Sequence, residues 1–253
     1  MKIILAIAKN TFRQAVRDKI LYGIVIFALL FIGSVAIISS LALEENVFIM
    51  RNLGLAGIYF FGLIVTIFLG ASLIYDEVDQ RTTYMLLAKP VTRGNIVIGK
   101  FLGLLASIGL TTILMTVAYM AIIFFNGGGI DFQALAVIGL QLIEMALLIT
   151  ILILFSTITT PLASTIYTIL IVYIGHSLGL IYSYAMKANY FTKITLLAVY
   201  YVAPNLEKFN NRNLITHNLP ISIRELALSS IYALGYIILI IYITKIAFNR
   251  RDL

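Results

Sequence analysis

Six long apolar runs divide this sequence and leave it few ways to fold. The runs carry few charged residues and occupy approximately residues 20–43, 54–75, 101–125, 132–158, 162–184 and 226–248. A helix of about 20 apolar residues crosses a hydrocarbon layer about 30 Å thick. We therefore expect an all-α, polytopic membrane protein with six transmembrane helices.

Composition supports this fold class and excludes several others. Hydrophobic residues make up 61% of the 253 positions, whereas soluble domains contain about 45–50% apolar residues. The sequence has no cysteine, which excludes a disulfide framework, a thiolate metal site and a thiol nucleophile. Its basic residues lie between the apolar runs, where they orient helices in the bilayer and form no patch for nucleic acid.

Residues 1–19 predict an amphipathic helix ahead of the first span. Its basic side chains recur every four residues on one face, at Lys9, Arg13 and Arg17. Helices of this kind lie in the headgroup layer of membrane lipids. We expect an interfacial helix here; the alternative is a basic flank that only fixes the topology.

The basic residues also predict the orientation of the chain. If both termini lie on one side, that side carries twelve of the eighteen Lys and Arg residues. Basic residues concentrate on the cytoplasmic side of membrane proteins, so both termini are expected there. Residues 76–100 are then cytoplasmic. Residues 185–225 are extracytoplasmic, and we expect short interfacial helices in that segment.

No catalytic or nucleotide site emerges from the motifs. Residues 94–100 fit G-x-x-x-x-G-K, but Phe101 follows where a phosphate loop requires Ser or Thr to hold magnesium. Residues 73–77 imitate a Walker B strand, yet they end an apolar run. The two histidines, His176 and His217, form no zinc-ligand pair. We expect no catalytic residue, metal or cofactor on this chain.

Glu144 and His176 are polar residues inside predicted spans. A charged side chain there costs about 2.5–3.5 kcal/mol on insertion scales and requires a partner or a cavity. At about 1.5 Å per residue, Glu144 lies about 18 Å below the outer start of the fourth span, and His176 about 12 Å below the outer end of the fifth. The two can pair if these spans are neighbours. The pair is then either a proton relay or point on a substrate path, or a structural contact between helices.

Residues 76–100 form the longest charged interruption in the front half of the chain. Residues 79–87 predict a short helix with Tyr84 and Leu87 on one face. The helix should end before Pro90, because proline disfavours helical geometry in the residue that precedes it. Exposed apolar side chains on a charged cytoplasmic element indicate a docking partner.

Seven residues of this stretch follow the arrangement E-x4-T-x3-LL-x2-P-x2-R-x6-K, namely Glu77, Thr82, Leu86, Leu87, Pro90, Arg93 and Lys100. The arrangement resembles the first cytoplasmic loop of ABC-2 type permeases, the membrane subunits of a class of ABC transporters. More narrowly, residues 174–176 and 204–210 are similar to permeases labelled for multicopper enzyme maturation, a subgroup that includes the nitrous oxide reductase accessory permease.

The resemblance implies a permease subunit that moves its substrate with energy from a separate ABC ATPase, which binds ATP and magnesium. It also implies a second permease, identical or paralogous, in a prokaryotic inner or plasma membrane. The coupling helix within residues 76–100 would meet the ATPase through Glu77, Arg81, Thr82, Tyr84, Leu87, Pro90 and Arg93. The alternative is an ion-coupled secondary transporter or channel that uses Glu144 and His176.

Overall fold

Helices dominate the computed structural model, which describes residues 2–40, 46–79, 92–127, 129, 131–216 and 222–250. They are α1 (Lys2–Arg17), α2 (Lys19–Ser40), α3 (Asn46–Asp79), α4 (Arg93–Phe125), α5 (Phe132–Ile158), α6 (Pro161–Lys187), α7 (Tyr190–Val202), α8 (Arg212–Thr216) and α9 (Ile223–Arg250). A 3₁₀ helix, Leu206–Phe209, lies between α7 and α8. The described residues contain no strand.

Six of these helices are long and apolar enough to cross a membrane: α2, α3, α4, α5, α6 and α9. The prediction of an all-α protein with six spans is therefore confirmed. Short helices also occupy the segment between α6 and α9, as expected. The short helix predicted for residues 79–87 falls largely outside the described residues.

Two spans begin earlier than hydropathy predicted. Helix α3 begins at Asn46 where residue 54 was expected, and α4 begins at Arg93 where residue 101 was expected. Hydropathy marks only the stretch that lies in lipid, whereas a helix continues into the polar layers if its ends are stabilised. In α3, the added turns carry Arg51, whose Nε lies 2.7 Å from Oδ2 of Asp131 at the start of α5. Residues 93–100 are consequently helical.

The boundary between α5 and α6 follows the sequence closely. Pro161 is the first residue of α6, a position where its missing N–H has no intrahelical partner to lose. The side chain of Thr160 caps the helix by accepting a hydrogen bond from the backbone N–H of Ala163. A short break at Thr159 and Thr160 therefore separates the two spans.

Helix α5 lies at the centre of the bundle. Its most apolar window is 78% buried, compared with 22% for the corresponding windows of α2, α6 and α9. It contacts α3, α4, α6 and α9. The polar side chains in the buried part of α5 are therefore enclosed by other helices.

Helix α1 packs along α4 over most of its length. It is amphipathic as predicted, with Thr11 and Ala15 buried. Two glycines of α4 permit this close approach: a Cβ at Gly103 would lie 2.6 Å from the Cβ of Thr11, and one at Gly99 would lie 2.7 Å from the Cβ of Ile7. The apolar face of α1 is thus fitted to a protein surface.

The Gly103→Ala substitution should loosen this contact. The added methyl group has no room, and overpacking of this kind typically costs about 1–3 kcal/mol. Gly109→Ala in the same helix is the control, because nothing lies within 4 Å of a Cβ there. Thermal unfolding in nanodiscs should show a lower midpoint for Gly103→Ala alone. Equal midpoints for the two variants would contradict the packing.

Candidate functional site

Glu144 of α5 and His176 of α6 meet inside the bundle. The Nε2 atom of His176 lies 3.0 Å from Oε1 of Glu144, as the estimated depths of the two residues allowed. Glu144 is 1% exposed. Such a buried carboxylate requires hydrogen-bond donors, because an unpaired buried charge is strongly unfavourable.

Tyr59 of α3 completes this contact. Its hydroxyl donates to Oε1 of Glu144 at 2.7 Å and lies 2.7 Å from Nε2 of His176. Sequence analysis did not identify Tyr59. A single phenol within an apolar run gives no local pattern, and its two partners lie 85 and 117 residues further along the chain.

The other side of the imidazole faces the 3₁₀ helix. The Nδ1 atom of His176 lies 3.2 Å from Oε2 of Glu207, whose side chain is 55% exposed. We call Tyr59, Glu144, His176 and Glu207 the polar cluster. The cluster extends from the buried surface of α5 to an exposed residue of the 185–225 segment, and it connects three spanning helices with that segment.

The side chains that follow Glu207 extend these contacts. Nδ2 of Asn210 donates to Oε1 of Glu207 at 3.2 Å, and Nε of Arg212 donates to Oδ1 of Asn210 at 3.3 Å. The guanidinium carbon of Arg212 also lies 5.9 Å from the centre of the Tyr59 ring, within the range of a cation–π interaction. Helix α8 is thereby connected to the polar cluster.

Close packing holds the 3₁₀ helix against α6. Leu206 and Phe209 are fully buried, and Ser229 of α9 donates to the carbonyl oxygen of Lys208 at 3.1 Å. Gly175 precedes His176 and makes room for the approach: a Cβ there would lie 2.6 Å from Cγ of Leu206. The residue beside the imidazole therefore sets the distance between α6 and Glu207.

The polar cluster borders a cavity of about 210 Å³. Its lining consists of Tyr59, Gln141, Glu144, His176, Glu207, Phe209, Asn210 and Arg212. Gln141 is 2% exposed, and its Nε2 donates to the carbonyl oxygen of Leu55 at 3.4 Å. Its Oε1 atom accepts no hydrogen bond from the part of the chain that the structure describes.

The contacts of His176 require an added proton. A neutral imidazole carries hydrogen on only one nitrogen, yet Nδ1 faces Glu207 while Nε2 faces both Glu144 and Tyr59. The phenol supplies one further hydrogen. With one more proton, either on the imidazole or on Glu144, three hydrogens serve the three contacts that involve a carboxylate, and the contact between Tyr59 and Nε2 has no hydrogen of its own. The geometry therefore indicates a proton shared by Glu144 and His176.

Over the described ranges, no group of three or more His, Asp or Glu side chains is arranged to hold an ion. The two ring nitrogens of His176 face carboxylates on different structural elements. The cluster is thus suited to hydrogen bonding and to proton binding.

Most of the residues inferred to contact an ATPase cannot be located. Arg81, Thr82, Tyr84, Leu87 and Pro90 lie outside the described residues, as does the side chain of Glu77. These assignments remain predictions.

Arg93 begins α4 and contacts α9. Its Nη1 donates to the carbonyl oxygen of Phe248, and its guanidinium carbon lies 5.5 Å from the centre of the Phe248 ring. The end of the 76–92 segment is therefore joined to the last span within the same chain.

The six candidate spans and the buried polar cluster define a polytopic helical membrane protein. A family sequence model described as ABC-2 family transporter protein matches residues 5–253. The chain therefore belongs to the ABC-2 transporter family, whose members are membrane transport components. No curated protein matches the sequence.

The Gly175→Ala substitution should separate the 3₁₀ helix from α6, since the added Cβ would lie 2.6 Å from Leu206 and 2.8 Å from the carbonyl oxygen of Pro204. Because the chain has no cysteine, a single Ser229→Cys label on α9 reports on the neighbouring contact between α9 and the 3₁₀ helix, which displacement of the 3₁₀ helix from α6 should loosen. We expect maleimide to modify that cysteine several-fold faster in the Gly175→Ala background. Gly179→Ala is the control, as nothing lies within 4 Å of its Cβ position. Unchanged labelling would argue against the proposed spacing.

Proposed function

We propose that this chain is the transmembrane permease subunit of an ABC transporter, driven by a separate ATPase subunit. The observation that carries the proposal is the family match over residues 5–253. In this proposal both termini are cytoplasmic, in a prokaryotic inner or plasma membrane. ATP and magnesium bind to the partner. Two permeases, identical or paralogous, form the working unit. Residues 174–176 and 204–210 support a place in the subgroup labelled multicopper enzyme maturation permeases.

The proposed docking region joins two helices that contact much of the bundle. It includes the end of α3 and the start of α4. Helix α3 contacts α2, α5 and α6, and α4 contacts α1, α2, α5 and α9. A displacement of the docking region would therefore move packed helices as rigid bodies, a common mechanism of switching between two arrangements.

Arg93 connects the proposed docking region with a further helix of the bundle. Its hydrogen bond to the Phe248 carbonyl joins α4 to the carboxyl end of α9, where exposed helix carbonyls favour a cation. The neighbouring Gly94 also lies close to α9: a Cβ there would be 3.4 Å from Cδ of Lys245. We assign Arg93 the role of transmitting movement to α9, while Glu77, Arg81, Thr82, Tyr84, Leu87 and Pro90 contact the ATPase.

The polar cluster favours this function over an ion-coupled carrier. A proton or ion route needs polar groups across the whole span. On the carboxyl side of Glu144, the described part of α5 buries Leu147, Leu148 and Leu152. The hydroxyl of Thr150 donates to a carbonyl oxygen of its own helix. The polar cluster reaches the surface at Glu207 and ends at Glu144. This arrangement suits a structural contact between helices or a binding site that opens on one side only.

Crosslinking tests the docking assignment. Single cysteines at Tyr84 and Leu87 should crosslink to the ATPase subunit, because both lie in the proposed coupling helix. Tyr190→Cys is the control: this side chain is 82% exposed but lies in the segment expected on the opposite side of the membrane. The proposal fails if no cysteine between Thr82 and Ala88 crosslinks to an ATPase that supports transport.

A further inference from the structure

We propose that the cavity beside the polar cluster binds a small molecule bearing one protonated amine, and that this amine displaces the proton shared by Glu144 and His176. The inference goes beyond the proposed function and does not rest on it. It concerns the isolated chain and requires neither an ATPase nor transport.

The cavity is large enough for a small molecule. A cavity needs about 10–15 Å³ to hold one water molecule, and this one measures about 210 Å³. It lies where α3, α5 and α6 meet the 3₁₀ helix and α8, and residues from all five elements line it. The space suits a molecule of several non-hydrogen atoms.

A buried carbonyl oxygen in the cavity lining has no hydrogen-bond donor among the described residues. Gln141 is almost fully buried, and its Oε1 atom lacks a partner among the described residues. Leaving such a buried group without a hydrogen bond is unfavourable. Glu144 lies three residues further along α5, on the same helix face. Both of its contacts use Oε1, which leaves Oε2 for another donor. A ligand with N–H groups can satisfy both residues.

The charge of the residues that line the cavity also favours a cation. With a neutral imidazole, the described residues that line the cavity carry two carboxylates, Glu144 and Glu207, and one guanidinium, Arg212. Their net charge is −1. One additional positive charge balances the site, and it matters most beside Glu144, because a charge buried inside a membrane bundle requires a partner. That charge is supplied either by a proton on the Glu144–His176 pair or by a ligand.

These groups favour an ammonium group over a metal ion. The imidazole nitrogens are engaged with carboxylates, and no metal-binding group is present in the described ranges. An ammonium group offers up to three N–H donors, which suit the oxygens of Gln141 and Glu144. Arg212 disfavours a second positive charge, while Asn210 and Arg212 provide donors for a polar tail. An amino alcohol such as ethanolamine combines these properties.

Binding by such an amine must release a proton. The ligand arrives as a cation, and the shared proton leaves through His176 and the exposed Glu207, so that the charge of the site is unchanged. The titratable and charged groups around the imidazole are Tyr59 on α3, Glu144 on α5, Glu207 on the 3₁₀ helix and Arg212 on α8. Linkage then requires affinity to rise about tenfold per pH unit where the empty pair is protonated.

Calorimetry on the purified chain in nanodiscs tests the proposal. Ethanolamine should bind saturably, with about one proton released as judged from buffers of different ionisation enthalpy. Tetramethylammonium carries the same charge but has no N–H group, so it should bind at least tenfold more weakly. This comparison uses the unaltered protein and does not depend on a variant that must fold.

Variants then identify the residues that bind the amine. Glu144→Gln should weaken ethanolamine binding at least tenfold, and Gln141→Leu by about fivefold or more. Glu225→Gln is the matched control, because this carboxylate is exposed on α9 away from the cavity. Thermal unfolding checks that each variant is folded. The proposal is overturned if the unaltered chain does not bind ethanolamine, if tetramethylammonium binds equally well, or if both folded cavity variants retain full affinity.

Discussion

A carboxylate buried at the centre of an apolar bundle is the constraint on which the packing of the 3₁₀ helix depends. Glu144 is 1% exposed and relies on the phenol of Tyr59 and the imidazole of His176. The same imidazole contacts Glu207. The side chain that stabilises the buried Glu144 carboxylate therefore also holds the 3₁₀ helix in place. Removing one partner would leave a buried group unpaired, at a cost that usually exceeds the net value of the contact.

Helix α3 connects this cluster with the proposed ATPase contact. It carries Tyr59 and continues to Asp79, a distance of about 30 Å at about 1.5 Å per residue. Helix α4 begins on the other side of the proposed docking region, and Arg93 joins it to α9. Events at the docking region can therefore reach the polar cluster through a continuous helix, and can reach the last span through one charged side chain.

The features that could be predicted from the sequence are those whose residues form a pattern along one helix or a simple relation between two helices. The bounds of α5 were predicted at residues 132–158 from its apolar run, and the structure gives the same bounds, with Asp131 as the cap at its start. The Glu144–His176 contact followed from depth along two helices. Tyr59 was missed because a single phenol in an apolar run forms no local pattern. Glu207 was missed as a partner of His176 because the two residues lie 31 positions apart. The cavity could not be predicted either, as it depends on how the 3₁₀ helix packs against α6.

A double-mutant cycle between Glu144→Gln and His176→Gln measures the interaction free energy of the two side chains directly. The free energy of unfolding is compared for the unaltered chain, each single variant and the pair, in the same lipid or detergent. If the two groups hold each other, the double variant loses less stability than the sum of the single losses, by about 0.5–3 kcal/mol. Additive losses, within about 0.3–0.5 kcal/mol, would contradict the view that this pair anchors the 3₁₀ helix.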